Sequence, residues 1–130
     1  MISPRDHKFM SCAYSVALTG EGIGPKNQFL LGAVLVKKNT ILAVGVNSKK
    51  THTQVQRRYT FPFLHAESAC LLKRGIEKCD GTTLYVCRVK RNGEYGLAKP
   101  CQFCYTFCCE VRVRRIVYSV DSAKIEDILL

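Results

Sequence analysis

The chain has 130 residues, 47% of them apolar, and 20 Lys and Arg against 10 Asp and Glu give it a formal charge of +10, which favours anionic partners such as nucleotides or nucleic acid. Its length suits one domain, residues 1–130, with a core that needs no covalent staples. Charges within "MISPRDHKFMSCAYS" exclude a secretory leader, and no run approaches the roughly 18 apolar residues of a membrane span, so a soluble, cytoplasmic chain with no membrane partner is expected.

"RDHKFMSCAYSVALT" sets Phe9, Cys12, Ala13, Val16 and Ala17 at helical spacing, so a first helix should end near Thr19, where "GEGIGPKN" breaks the pattern as a plain connection. "QFLLGAVLVKK" and "TILAVGVNS" are short apolar runs joined by polar residues and should form an antiparallel hairpin. Residues 48–63 lack periodicity and form a long basic loop, a type that is frequently functional. A helix from about His65 to Lys78 follows, then a strand in "TTLYVCRV", a helix in "CQFCYTFCCEVRV", a strand in "RRIVYSV" and a short terminal helix in "SAKIEDILL". The order α-β-β-α-β-α-β-α describes a two- or three-layer α/β domain whose last β-α-β stretch makes a parallel strand pair.

Four of the eight cysteines fall in "KPCQFCYTFCCE". Without a secretion signal these thiols should be reduced, which leaves burial or metal binding to explain them. Pro100 suits a helix start, and Cys101 and Cys104 at i and i+3 point to one side of the first turn, where the helix N-terminus lowers thiol pKa. They supply half of a tetrahedral zinc site. His65, at the start of the other helix that follows a loop, supplies a third ligand, and three ligands with one open position is the catalytic count rather than the structural one. Glu67, two residues on, is turned away around the helix and is placed to move protons as general acid and base. Cys108 lies too deep in its helix to close the site, and Cys12, Cys70, Cys79, Cys87 and Cys109 are expected to be buried as small hydrophobes. His7 is expected to be structural.

"HAE" at 65–67 and "PCQFC" at 100–104, with 32 residues between Glu67 and Pro100, match the H-x-E and P-C-x-x-C signature of zinc deaminases. By element order the chain resembles the cytidine and deoxycytidylate deaminase superfamily over nearly its whole length. The resemblance implies a three-layer α/β/α fold around a mixed sheet of about five strands, a Zn²⁺ cofactor, and hydrolytic deamination of a cytosine nucleotide or nucleoside, deoxycytidylate first. It also implies that Asn47 contacts the sugar, that the Ala66 backbone meets the base edge, that Tyr118 walls the pocket unless it is simply core, and that the protein is a homo-oligomer.

Lys49, Lys50, Arg57 and Arg58 in the long loop could hold a 5′-phosphate, and His52 there could touch substrate. The same cations, with Tyr59, Phe61 and Phe63, could instead track a polynucleotide. A cytosine or adenine deaminase of single-stranded nucleic acid and a non-catalytic zinc module are the competing readings.

Overall fold

A computed structural model describes residues 2–20, 30–48 and 65–130. Ser3 and Asp6 open helix α1 (Pro4–Ala17) with a reciprocal capping box, and Pro4 occupies the first turn, where its missing N–H costs nothing. Strands β1 (Leu30–Lys37) and β2 (Thr40–Val46) form the expected hairpin. Its two-residue turn puts Lys38 and Asn39 at φ 51° and 63°, the left-handed pair that matches strand twist. Helix α2 (Ala66–Arg74) passes into a 3-10 turn at Ile76–Lys78, splitting the longer expected helix at Gly75. Strand β3 (Thr83–Val89), a two-residue β4 (Tyr95–Gly96), helix α3 (Gln102–Glu110), and strands β5 (Arg115–Asp121) and β6 (Lys124–Leu129) complete the described elements.

The strands form one mixed sheet in the order β2-β1-β3-β5-β6, with β4 added beside β3. Strands β3 and β5 are parallel and joined through α3, as expected. The terminal segment departs from expectation: it is not a helix but a strand antiparallel to β5, running from Asp121↔Lys124 to Arg115↔Leu129. With β4 and β6 the sheet has six strands among the described residues.

Alternating side chains divide the core between two faces, because successive strand residues point to opposite sides. Val34, Val36, Tyr85, Cys87 and Val117 pack with Phe9, Met10, Ala13 and Ala17 of α1. Ala33, Leu35, Leu84, Val86 and Ile116 pack with Ala66, Cys70 and Leu71 of α2 and Phe103, Cys104 and Phe107 of α3. The result is the three-layer α/β/α arrangement. Since β1 is antiparallel to both β2 and β3, strands β2, β3 and β5 all end at one edge of the sheet. Asn47 and the starts of α2 and α3 lie there.

A buried ionic network fixes α1. Arg115 Nη1 and Nη2 each donate to Asp6 at 2.9 Å, Tyr85 Oη donates to the same carboxylate at 2.7 Å, and Arg115 Nε donates to Asp127 at 2.9 Å. Burial alone would raise the Asp6 pKa, but Arg115, Tyr85 and the Ser3 N–H hold it well below the usual carboxylate range. The unfolded chain therefore binds this proton more readily. The network's contribution is complete above the ordinary Asp pKa of about 3.9 and fades as pH falls below it. Replacing Asp6 by Asn should cost about 3 kcal/mol at neutral pH and flatten the acid side of the stability profile, measured by urea unfolding between pH 3 and 7.

Candidate metal and catalytic site

His65 and Cys101 are the N-cap residues of α2 and α3, both with extended backbone (φ −78°, ψ 153° and φ −70°, ψ 168°). Neither side chain caps its own helix. Each turns instead toward the other: His65 Nδ1 stands 3.7 Å from Cys101 Sγ and 3.2 Å from Cys104 Sγ, and the three donor atoms lie within 4.8 Å of one another. Tetrahedral zinc, with Zn–S near 2.3 Å and Zn–N near 2.0 Å, sets its ligands about 3.5–3.8 Å apart, so the donor set and its spacing fit this ion.

Electrostatics point the same way. Hydrogen bonding from Cys104 and from His65 draws the Cys101 pKa down to about 4, overcoming the opposing effect of burial. The His65 pKa is raised, chiefly by its hydrogen bond to Cys101, with the Glu67 charge adding to the effect. Cys104 is pushed well above an ordinary thiol, because its proton is held by Cys101 and because it is buried. Protons thus hold the places that a cation would take, and metal uptake must release them. Cys101 is exposed while Cys104 is 1% exposed, so the cluster meets solvent on its Cys101 side.

Glu67 is 4% exposed, and burial raises its pKa, partly offset by its own backbone N–H, by His65 and by a hydrogen bond from Cys104. A carboxyl in that environment takes up a proton more readily than one in water. It shares the site with the ligand set, as the H-x-E spacing suggests. Ala66, between His65 and Glu67, is buried in the same apolar cluster as Phe103 and Cys104.

Asn47 follows β2 at the same sheet edge. Its N–H donates to Leu31 O at 3.3 Å and its Oδ1 accepts from Leu31 N at 3.2 Å, which fixes the carboxamide in place. Tyr118 belongs to the core cluster that holds Ala66 and Cys104, and its hydroxyl donates to Glu126 of β6 at 3.3 Å. His52 and Lys50, like Lys49, Arg57, Arg58, Tyr59, Phe61 and Phe63, lie outside the described residues.

Among the other thiols, Cys70, Cys79, Cys87 and Cys108 are fully buried, as expected. Cys109 is exposed and Cys12 half-buried, contrary to expectation, because both stand off the apolar stripes of their helices. His7 is exposed on α1. One neighbour of the site escaped the sequence reading. Phe103 meets the His65 ring edge-on at 6.0 Å between centroids and continues to Phe107 at 6.1 Å, steadying the imidazole from the core side. An aromatic residue inside the C-x-x-C was its only signal.

Residues 3–120 match the family described as the cytidine and deoxycytidylate deaminase zinc-binding region. The chain belongs to this family, whose cofactor is zinc. It is 32% identical over 118 residues to the tRNA-specific adenosine deaminase of Buchnera aphidicola subsp. Baizongia pistaciae (strain Bp), a match covering 87% of this chain and 60% of that protein. The chain thus spans about 60% of the length of this curated relative. Its fold is similar to dCMP deaminase from cyanophage S-TIM5 in complex with dCMP and dUMP, with TM-score 0.65, 24% identity, and 91% and 83% of the two chains covered. It is also similar to the diaminohydroxyphosphoribosylaminopyrimidine deaminase/5-amino-6-(5-phosphoribosylamino)uracil reductase of Thermotoga maritima, with TM-score 0.58, 21% identity, and 88% of this chain and 29% of that one covered. Among the described residues no helix is long and apolar enough to cross a membrane.

Substituting His65 by Ala, or either Cys101 or Cys104 by Ser, should bring zinc in the purified protein from one ion per chain to well below half, whereas Cys108→Ser should leave it unchanged. Elemental analysis of the four variants checks both statements, and zinc loss on Cys108→Ser would show that the ligand set has been misassigned.

Proposed function

We propose that residues 1–130 act as one deaminase domain that hydrolyses the exocyclic amine of a nucleobase carried on a nucleotide, with deoxycytidylate to deoxyuridylate as the leading reaction. The observation that carries this reading is the buried carboxyl of Glu67 beside a cluster of one imidazole and two thiols. His65, Cys101 and Cys104 would hold zinc, which when bound acidifies water and so supplies the nucleophile near neutral pH.

The remaining work falls to Glu67. As the water oxygen adds to C4 of cytosine, Glu67 takes a proton from it and delivers that proton to N3. Glu67 then transfers the second water proton to the exocyclic amine, the C4–N bond breaks, ammonia leaves, and the oxygen remains as the C4 carbonyl of uracil. A buried carboxyl with a raised pKa suits a group that must both accept and return a proton. Asn47, held by Leu31, is the sugar contact in this scheme, the Ala66 backbone meets the base edge, Lys50 would hold the 5′-phosphate and His52 would touch substrate. Tyr118 stands behind the pocket. A homo-oligomer, with pocket walls shared between subunits, belongs to the same reading.

Deoxycytidylate leads because the similarity to the cyanophage enzyme extends over most of both chains. A second reading, deamination of adenosine in RNA, is favoured by the 32% identity to a tRNA-specific adenosine deaminase and by the charge of +10. Ammonia release from deoxycytidylate, cytidylate, their nucleosides, single-stranded DNA and an adenosine-containing RNA hairpin separates the two, since binding of a polynucleotide weakens steeply with salt. Glu67→Gln should retain zinc and lose at least about 100-fold in kcat on whichever substrate is turned over. A rate near that of the unaltered protein would remove Glu67 from its role.

A further inference from the structure

Glycine in a strand interior weakens the strand and often marks a close backbone approach. Two such residues sit side by side in the hairpin on opposite faces: Gly45 is paired with Ala33, and Gly32 with Val46. A Cβ built on Gly45 would stand 2.6 Å from Cys70 N, 2.7 Å from Ala66 O and 3.0 Å from Cys70 Cα, which places it within the first turn of α2. A Cβ built on Gly32 would stand 2.4 Å from Ala17 N and 2.5 Å from Ala13 O, in the backbone of α1.

We propose that Gly45 is a positioning residue for the metal site: its lack of a side chain lets the first turn of α2 seat on β2 at the depth that brings His65 and Glu67 to Cys101 and Cys104. The inference rests on reading the cluster as a zinc site. Helix α2 packs mainly against β2 and β1, and the Cys70 thiol donates to Ala43 O of β2 at 3.4 Å, so β2 is the surface that sets its height. The two cysteines ride on α3, a separate helix. The threatened contacts fall on residues 66 and 70, immediately after His65 and on either side of Glu67.

The magnitude decides the matter. Restoring ordinary contact at 3.4 Å requires α2 and β2 to part by roughly 0.8 Å. Metal–ligand distances tolerate only about 0.2 Å. Helix α2 carries His65 and Glu67, and β2 leads into Asn47, so whichever body yields moves part of the site. Gly32 provides the matched control, because an equal or larger clash there displaces α1, which carries none of the proposed ligands.

Cobalt(II) titration of the zinc-stripped 130-residue chain tests this without substrate. Gly45→Ala should weaken cobalt binding at least about tenfold and alter the visible d–d and thiolate charge-transfer bands. Gly32→Ala should lower Tm yet keep the affinity within about twofold and leave the bands unchanged. Should Gly45→Ala fail to fold, Cys70→Val, a milder wedge in the same seam, should still weaken binding about threefold or more. Unaltered affinity and bands in whichever of these two folds, or equal metal loss in Gly32→Ala, would overturn the proposal. If the unaltered chain binds cobalt but, reloaded with zinc, deaminates nothing, and Gly45→Ala still loses the metal, the functional reading fails while the positioning role stands. A chain that binds no cobalt overturns both.

Discussion

Two helices that share no loop have to begin within one coordination sphere of each other, and the rest of the molecule follows from that constraint. His65 belongs to α2 and the two cysteines to α3, with a 3-10 turn and strands β3 and β4 between them in the chain. No local turn can fix a spacing of 3.2–3.7 Å across such a gap. The sheet does so instead. Strand β2 seats α2, Phe103, Cys104 and Phe107 of α3 share a core cluster with Leu84 and Val86 of β3 and Ile116 of β5, and the hydrogen-bonded registers among β2, β1, β3 and β5 turn two separate packing contacts into one distance. A mixed sheet covered on both faces suits this work, since its interior packs too densely to drift. The Asp6–Arg115–Asp127 network ties the outer helix to the last two strands and keeps the opposite layer from sliding.

Charge explains why the acid stands where it does. Two thiolates and a neutral imidazole cancel the formal charge of a zinc ion, so an ionised Glu67 beside them would leave the buried site with a net negative charge. In a poorly solvated place that charge favours uptake of one proton, and Glu67 is the group able to accept it. Burial therefore serves more than exclusion of water. In the proposed reaction it would make the carboxyl a reservoir that fills and empties within one turnover.

Much of this was legible in the sequence because it depends on short spacings. Pro-Cys-x-x-Cys fixes a helix start and one face of its first turn, and His-x-Glu separates a ligand from an acid by two residues of helix. What stayed hidden depended on partners far along the chain. Asp6 has the spacing of a capping box, but its burial is decided by Arg115, 109 residues away. Strand β6 was misread for a periodic reason: Ile125 and Ile128, three apart, look like a helix face. They lie instead on opposite sides of a strand, Ile125 with the α1 cluster and Ile128 with the other. Only a strand buried on both faces gives apolar residues that spacing, and the sequence does not say that the sheet continues past β5. The two-residue β4 is too short for any pattern, and Gly45 reads as a weak strand position until the helix above it is known.

The crowded thiols of α3 are resolved by helical period. Phe103, Cys104, Phe107 and Cys108 form one buried stripe, while Cys101 stands exposed at the N-cap position without capping the helix and Cys109 is exposed near its end. Of these thiols, Cys104 belongs both to the stripe and to the helix start, so in the proposed site it would be at once core and ligand. Cys108 repeats its orientation one turn deeper, where burial raises the thiol pKa far above neutrality and the charge of Glu67 adds to the effect. The donor atoms that lie within 4.8 Å of one another are those of His65, Cys101 and Cys104, and Cys108 is not among them. Its position one turn further along makes Cys108 useful as packing, since a small apolar group beneath Cys104 supports the first turn. Four cysteines in twelve residues therefore divide by depth along one helix, and depth is what separates chemistry from packing in this segment.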